Sequence, residues 1–497
     1  MALRRAHSHG AARAASVAGM DTTGSIPADA FSLRSPYGRR AIGLAVAAAV
    51  GGFLFGFDSS VINGAVDSIS ADFEINDVLT GFVVAIALLG CAVGAIIAGN
   101  LSDRWGRLRV MFLGAIMFFV SSLGAGLAFA VWDLALWRVI GGLGIGIASV
   151  VAPAYIAEIA PRQVRGGLAS LQQLAITLGI FAALLSDALL ANAAGGADEP
   201  LWFGLEAWRW MFIVGVVPSA VYGILAFTLP ESPRFLIAKG RIDEARTIFS
   251  RLVPEADLEH TIRDLQTAIE TDRKNAGVSL RGPVLGLQRI VWVGIILSVF
   301  QQFVGINVIF YYSTSLWKSV GFDETDSFTI SVATSVTNVL VTLIAIFLVD
   351  RVGRKPILLT GSVMMAVSLG VMAIAFMFGE GTGQDVTLPA PWGPIALVAA
   401  NVFVIGFGAS WGPLVWVLLG EIFPSRIRGK ALGVAAAAQW IANFLITISF
   451  PAMSAWSLPL TYGMYAAFAA LSFFYVLLRI PETKGMDIEQ TETLFTK

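Results

Sequence analysis

The chain has 497 residues, of which 56% are hydrophobic and 13% are charged, and its formal net charge is −1. Soluble proteins carry about 25% charged residues, so this composition indicates a membrane protein with long apolar segments. The near-zero net charge argues against nucleic acid as a partner. The single cysteine, Cys91, excludes a disulfide framework and a thiolate metal site. No histidine falls in an apolar run, and we expect neither a metal nor a cofactor.

Residues 1–38 are predicted to form a disordered tail, because they combine several arginines with Ser, Gly and Ala and contain no long apolar core. Twelve apolar segments then follow, each long enough at about 20 residues to cross a membrane as a helix. Six of them precede a charged segment and six follow it. They lie at 41–64, 80–100, 109–130, 133–155, 168–193, 210–229, 290–317, 327–349, 356–378, 393–417, 431–451 and 459–480.

The charged segment between the two sets of six has apolar residues at helical spacing, such as Ile242, Ala245 and Phe249, which predicts short amphipathic helices. The predicted fold is therefore an all-α membrane protein of twelve transmembrane helices with a helical insert. Its parts are a tail at 1–38, a six-helix bundle at 39–230, a helical linker at 231–287, a second six-helix bundle at 288–480 and a tail at 481–497.

Charges alternate in sign from loop to loop. Odd-numbered loops contain mostly acids, such as Asp72, Glu74 and Asp77, whereas even-numbered loops contain clusters of arginine. Basic loops stay on the cytoplasmic side of a membrane, so both termini and the linker are predicted to be cytoplasmic.

Three motifs occur twice and in the same order. They are Asp-Arg-x-Gly-Arg at 103–107 and 350–354, Glu-x-x-Pro-x-x-x-Arg-Gly at 158–166 and 421–429, and Pro-Glu-Ser/Thr at 230–232 and 481–483. Ordered repeats of this kind indicate a duplicated unit. In a membrane protein, two parallel halves are typical of a transporter whose site lies between them.

Together these motifs resemble the markers of the sugar porter family of the major facilitator superfamily, over about residues 41–486. Two further segments add to the resemblance: Gly-Phe-Leu-Phe-Gly-Phe-Asp at 52–58 and Gln-Gln-Phe-Val-Gly-Ile-Asn at 301–307. Within the family, the resemblance is closest to bacterial glucose permeases of the proton-symport type. The resemblance implies two pseudo-symmetric bundles, alternating access and a bacterial plasma membrane location. It also implies a monomeric transporter rather than an enzyme, with the lipid bilayer, a monosaccharide and a proton as partners.

Asp58 lies in the middle of the first apolar run, where a charge costs about 2.5–3.5 kcal/mol on insertion scales. Arg138 in the fourth run is its expected counter-ion. The functional interpretation is that Asp58 binds and releases a proton, as the resemblance implies for this pair. The alternative is a permanent salt bridge, and a passive facilitator stays open because a few passive relatives retain the aspartate. Asp187 in the fifth run is expected to be a solvated residue near the outer end.

A sugar site needs partners for hydroxyl groups beside an apolar surface, and amides and aromatics occur together in these helices. Bonds between neighbouring helices are the alternative role for such amides. The candidates, all but Gln439 matched by resemblance, are Phe55, Gln173, Gln301, Gln302, Asn307, Tyr311, Asn338, Trp416, Gln439 and Trp440. Ile180 stands where xylose-type relatives carry glutamine, which favours glucose, with xylose and myo-inositol as alternatives.

The repeated motifs place acidic and basic side chains together at cytoplasmic helix ends, where Glu158 and Glu421 could bond the arginines of the loops. The resemblance implies a gate network that biases the outward-open state. Its predicted members are Asp103, Arg104, Arg107, Glu158, Arg165, Glu231, Arg234, Asp350, Arg351, Arg354, Glu421 and Arg428. Glycines and Pro413 in the tenth helix predict a bend there.

Overall fold

The computed structural model describes residues 36–159, 165–275, 279–380, 387–424 and 427–483. Within these residues, twelve helical segments are long and apolar enough to cross a membrane, in agreement with the prediction. They are Pro36–Val61, Asp77–Trp105, Arg107–Gly126, Val131–Ile159, Leu171–Ala194, Ala207–Thr228, Arg289–Ser319, Glu324–Ile346, Arg354–Phe376, Trp392–Ile422, Lys430–Trp456 and Leu458–Arg479. We number these spans from first to twelfth.

Among the described residues, three spans contain a break. The sixth consists of Ala207–Val214 and Val216–Thr228, the seventh of Arg289–Phe303 and Ile306–Ser319, and the tenth of Trp392–Gly408 and Trp411–Ile422. The break in the tenth span agrees with the predicted bend, because Pro413 has no N–H to donate to the preceding turn. The break in the seventh span was not predicted. It is made by Gly305, whose φ of 81° lies in the left-handed region that favours glycine.

The remaining elements connect the spans. Short helices follow the first span and form the insert between the sixth and seventh spans, and one antiparallel hairpin precedes the sixth. Their bounds are Val66–Asp72, Pro233–Ala238, Ile242–Phe249 and Glu255–Asn275 for the helices, and Pro200–Trp202 and Leu205–Glu206 for the strands. The insert helices are amphipathic as predicted, and Phe235, Phe249 and Ile262 share a small apolar core of their own.

Two predicted boundaries differ from the structure. The first helix begins at Pro36, so the last three residues assigned to the tail are helical, and proline is favoured in a first turn. Residues 481–483 pack against the protein instead of forming a tail, and Thr483 is buried. The rest of both predicted tails, 1–35 and 484–497, lies outside the described residues.

Helix packing joins the first six spans to the last six. The second span packs along the eleventh, and the fifth packs along the eighth. The first of these contacts is so close that a Cβ atom on Gly81 would overlap the carbonyl oxygen of Ile448. We call the face that bears the arginine-rich loops the basic face, and the opposite one the acidic face. Gly81 and Ile448 both lie toward the acidic face.

Candidate functional site

A buried ion pair connects the first and fourth spans. Arg138 Nη1 donates to Asp58 Oδ1 at 3.2 Å and approaches the backbone oxygen of Asp58 at 3.4 Å. The two residues are 3% and 6% exposed. Within the described chain, Arg138 Nε has no hydrogen-bond partner, and the guanidinium lies over the ring of Phe212 at 5.9 Å. The structure thus brings the predicted pair together through one side-chain hydrogen bond, while its role in coupling stays a prediction.

A small cavity lies beside this pair and reaches the second half of the chain. Its lining includes Asp58, Ser59, Arg138 and Leu88 of the first half and Tyr311 of the seventh span. Since Tyr311 is also a candidate sugar-binding residue, the carboxylate and the predicted sugar site border a common space.

Three of the predicted amides form a hydrogen-bonded chain at the break of the seventh span. Gln301 Nε2 donates to the carbonyl oxygens of Trp411 and Gly412, at 2.9 and 3.1 Å, where the second part of the tenth span begins. Gln302 Nε2 lies 3.4 Å from Gln301 Oε1, and Asn307 Nδ2 donates to Gln302 Oε1 at 2.5 Å. The amide chain therefore ties the break of one span to the break of another.

A second group of candidates lies between the first, seventh and eleventh spans. The rings of Phe55 and Trp440 meet edge to face with centroids 5.3 Å apart. Tyr311 is buried, and its hydroxyl lies 3.5 Å from Asn443 Nδ2. The side-chain oxygen of Gln439 is buried without a partner among the described residues. The apolar ring surfaces of Phe55 and Trp440 and an amide oxygen without a hydrogen-bond partner thus lie in the same region between these spans.

Three other candidates are not joined to these groups by side-chain hydrogen bonds within the described chain. Asn338 is buried on the eighth span, and its Oδ1 lies 3.2 Å from where a Cβ atom on Gly408 would stand. Gln173 is partly buried on the fifth span. Trp416 leaves 42% of its surface exposed.

On the basic face, the first copy of the repeated motifs forms a network around Glu158. Arg107 donates to both carboxylate oxygens of Glu158, at 3.0 and 2.8 Å, and Ser232 Oγ donates to the same group. Glu231 Oε1 accepts from the backbone N–H of Arg107 at 3.0 Å and so caps the third span. Asp103 lies 3.2 Å from the Arg107 guanidinium.

The second copy repeats this arrangement around Glu421. Arg354 Nε and Nη2 donate to Glu421 Oε1 at 3.2 and 2.9 Å, and Thr483 Oγ1 donates to its other oxygen at 2.6 Å. Glu482 accepts from the backbone N–H groups of Arg354 and Lys355, at 2.9 and 3.0 Å. Sequence reasoning left out Ser232, Thr483 and Glu482, although the repeated Pro-Glu-Ser/Thr motif was the signal for all three.

The other predicted members of the basic-face network take different positions. Arg104 and Arg351 are exposed in the last turns of the helices Asp77–Trp105 and Glu324–Val352, whereas Arg107 and Arg354 begin the next helices. Arg234 lies 3.9 Å from Glu158, and Arg428 Nε donates to the Phe423 carbonyl at 3.1 Å. The side chains of Arg165 and Asp350 lie outside the described residues.

On the acidic face, Asn63 holds the first span to the seventh. Its Nδ2 donates to the Phe310 carbonyl at 3.0 Å and to Ser313 Oγ at 2.8 Å, and its Oδ1 accepts from the Thr314 backbone at 3.0 Å. Asn63 is 1% exposed. Sequence reasoning missed this residue, and its position at the end of the first apolar run was the only signal.

Further polar contacts close the same face. Asp67, on the short helix after the first span, accepts from Ser315 Oγ at 2.6 Å and lies 3.0 Å from Lys318 Nζ. Glu324 at the start of the eighth span accepts from the backbone of Ala197 at 2.9 Å. The two halves are therefore held together at the acidic face.

Asp187 does not occupy the solvated position that its sequence location suggested. It is fully buried, and within the described chain neither carboxylate oxygen has a hydrogen-bond partner. A location near a helix end indicates depth along the helix, but the neighbouring helices decide whether water reaches the side chain.

Comparisons with known proteins bear on this arrangement. Residues 44–495 match the family model described as Sugar (and other) transporter. The chain is 50% identical over 445 residues to the glucose transport protein of Synechocystis sp., with 89% of this chain and 95% of that protein covered. It is 34% identical over 485 residues to the D-xylose-proton symporter of Escherichia coli, with 91% and 95% covered. It is 35% identical over 445 residues to the glucose transporter GlcP of Staphylococcus epidermidis, with 89% and 95% covered.

Solved structures show the same fold. The proton:xylose symporter XylE bound to 6-bromo-6-deoxy-D-glucose matches with a TM-score of 0.77 at 33% identity, over 92% of this chain and 99% of that one. The inward open conformation of XylE from Escherichia coli matches with a TM-score of 0.78 at 33% identity, over 91% and 99%. The fold is that of a major facilitator superfamily transporter.

Proposed function

The chain belongs to the sugar transporter family, and we propose that it imports a monosaccharide, with glucose favoured, together with a proton by alternating access. The observation that carries the substrate is the 50% identity to a glucose transport protein over 89% of the chain. The buried pair of Asp58 and Arg138 carries the coupling to protons. A second candidate substrate is xylose, because a D-xylose-proton symporter is 34% identical.

The proposal includes an orientation and an organisation. The basic face is cytoplasmic and the acidic face extracellular, because basic loops remain inside the cell. Both termini and the helical insert are then cytoplasmic, in a multi-pass monomer of the bacterial plasma membrane. The two halves, 39–230 and 288–480, move against each other around the site between them.

With this orientation, the structure represents a state closed to the outside. Asn63, Asp67 and Glu324 bond the halves together at the extracellular side. The cytoplasmic bonds of Glu158 and Glu421 run to arginines of their own halves, Arg107 and Arg354. Each network stiffens one half, and we propose that both act as parts of a cytoplasmic gate.

Proton coupling follows from the chemistry of the buried pair. While Asp58 is ionised it attracts Arg138, and the low-dielectric surroundings strengthen that attraction. A proton on Asp58 removes the negative charge and weakens the bond, which frees the fourth span to shift against the first. A charge that crosses 100 mV gains about 2.3 kcal/mol, and since a factor of ten costs about 1.4 kcal/mol, one proton could support accumulation of tens-fold.

The sugar would bind between the amide chain and the aromatic pair. Sugar hydroxyls can replace the bond between Gln302 and Asn307 and satisfy the free oxygen of Gln439, while Phe55 and Trp440 supply apolar surface for the C–H face. Gln173, Asn338 and Trp416 belong to the proposed site by resemblance to the family.

Binding can be transmitted to the helices through Gln301. Its N–H groups bond the carbonyls at the break of the tenth span, so a sugar that contacts the amide chain also contacts the elements that bend. The cavity that borders both Tyr311 and Asp58 supports a sugar position beside the proton site.

The test is uptake of labelled glucose by cells that lack their own glucose transport, with and without a protonophore. Wild-type protein should accumulate glucose only while the proton gradient persists. The Asp58→Asn variant should lose accumulation but retain glucose counterflow. The matched control is Asp133→Asn, which changes a different buried aspartate, located on the fourth span, and should behave as wild type. Uptake that only equilibrates and ignores the protonophore would show a passive facilitator. Stronger competition by xylose or myo-inositol than by unlabelled glucose would reassign the substrate.

A further inference from the structure

Asp187 is a buried carboxyl group that the proposed mechanism does not use. It lies on the fifth span seven residues before Ala194, which places it about 10 Å below the extracellular end of that helix. Its side chain is fully buried, and within the described chain both of its oxygens lack a hydrogen-bond partner.

The carboxyl group is wedged against the turn that ends the first span. A Cβ atom on Gly64 would stand 3.0 Å from Asp187 Oδ2 and 2.8 Å from the sulfur of Met211 on the sixth span. Gly64 follows Asn63, whose amide joins the first and seventh spans when the extracellular side is closed. The turn that covers Asp187 is therefore part of the extracellular closure.

The charged groups of the surrounding helices are engaged elsewhere. Within the described chain, the backbone of Gly64 lies next to the carboxyl but does not meet the geometry of a hydrogen bond to it. Two of the other charged groups form ion pairs: Asp58 on the first span with Arg138 on the fourth, and Arg209 on the sixth span with Asp72 and Glu206. Two acidic groups accept hydrogen bonds from backbone N–H groups: Asp133 on the fourth span from Phe129, and Glu324 on the eighth span from Ala197.

An ionised carboxylate in this position would be buried without a cation paired to it among the described residues. Burial of an unpaired charge in a membrane protein costs several kcal/mol, whereas a protonated carboxyl is neutral. Burial without a counter-ion thus favours the protonated form of Asp187 in the closed state. When the Asn63–Gly64 turn moves away, water can reach the carboxyl, and an aspartate in water ionises with a pKa of about 3.9.

We propose that Asp187 is a second proton-binding site, separate from Asp58, which is occupied while the extracellular side is closed and releases its proton when that side opens. The proposal rests on the alternating-access function proposed above. If this is correct, the extracellular gate binds one proton each time it closes. A rise of one pH unit should then raise the ratio of open to closed protein about tenfold. Acidic conditions should favour the closed state.

The test measures the gate directly and needs no sugar transport. Spin labels on cysteines introduced at Asp77 and Thr325, which are exposed at the extracellular ends of the second and eighth spans, report the open fraction by pulsed electron resonance. All proteins carry Asp58→Asn, which removes titration of the coupling site. In this background the ratio of open to closed protein should rise about tenfold per pH unit around neutral pH.

The comparison variant is Asp187→Asn, which keeps the size of the side chain and mimics its neutral form. It should make the open fraction independent of pH, whereas Asp133→Asn should leave the slope unchanged. The same slope with and without Asp187, or no slope in the Asp58→Asn background, would overturn the proposal. Failure of glucose uptake by the wild-type protein would count against the proposed function instead, since the distance measurement does not depend on it.

A second readout covers the case in which Asp187→Asn does not fold. Infrared spectra of Asp58→Asn/Asp133→Asn protein should show the C=O band of a protonated carboxyl at about pH 6, above the usual aspartate pKa of about 3.9, and the band should weaken as rising pH opens the protein. A band at that pH supports the proposal, and its absence refutes it.

Discussion

Asn63→Ala should shift the protein toward the state that is open to the outside. The asparagine makes three hydrogen bonds to the seventh span, and all three join the halves at the acidic face, which is extracellular in the proposed orientation. A hydrogen bond contributes about 0.5–1.5 kcal/mol net, so the closed state should lose about 1.5–4.5 kcal/mol. At about 1.4 kcal/mol per factor of ten, the ratio of open to closed protein should rise about ten-fold to a thousand-fold.

The assay is the distance between spin labels at Asp77 and Thr325 at fixed pH, in wild-type and variant protein. Asn76→Ala is the matched control, because Asn76 caps the second span on the same face through the Leu79 N–H and, among the described residues, has no hydrogen bond to the other half. The control should lower thermal stability slightly and leave the distances unchanged. Identical distance distributions for wild type and Asn63→Ala would refute the reasoning.

Three further predictions concern the coupling pair, the sugar site and the cytoplasmic network. Arg138→Ala leaves the Asp58 carboxylate buried without a counter-ion, which should lower the free energy of unfolding by about 3–5 kcal/mol. We expect a lower melting temperature and loss of glucose accumulation. Adding Asp58→Asn to this variant should recover part of the stability. Trp440→Ala removes the ring that packs on Phe55 and should raise the KM of glucose uptake, while Trp440→Phe should preserve it; equal KM values for all three proteins would exclude Trp440 from the site. Glu482→Ala removes the cap of the ninth span and should destabilise the protein by about 0.5–2 kcal/mol in thermal melts, whereas Glu482→Gln should retain most of the stability.

The twelve spans were predictable because apolar length alone defines them. Their ends were less so, since polar residues can continue a helix beyond the apolar run. The second span was expected to start at 80, but it begins at Asp77, where Asn76 accepts a hydrogen bond from the Leu79 N–H. At its other end it continues through Trp105 into the charged motif. Capping residues, rather than hydrophobicity, set these boundaries.

The breaks in the seventh and tenth spans show the same limit in another form. Pro413 predicted the bend in the tenth span, because a missing N–H interrupts a helix wherever it occurs. The break at Gly305 could not be predicted in the same way, since glycine is common in membrane helices and only some glycines adopt a positive φ. The hydrogen bonds from Gln301 to the tenth span depend on both breaks and could not be derived from either alone.

The sequence predicted which charged and polar side chains lie inside the spans. It also predicted that Asp58 pairs with Arg138, because opposite charges in apolar surroundings stabilise each other. The surroundings of single polar residues were not. Asn63 and Asp187 both lie near the ends of spans, where sequence position suggests contact with water. Both are buried, because the turn after the first span packs between the fifth, sixth and seventh spans.

The most direct test of the account is proton movement driven by glucose in reconstituted vesicles. Purified protein is inserted into lipid vesicles that contain a pH-sensitive dye, and glucose is added outside without a pre-set pH gradient. The account predicts that glucose entry acidifies the vesicle interior with wild-type protein and not with Asp58→Asn, although the variant still exchanges labelled glucose. Glucose entry without acidification in the wild-type protein would contradict it and would leave the Asp58–Arg138 pair with a structural role only.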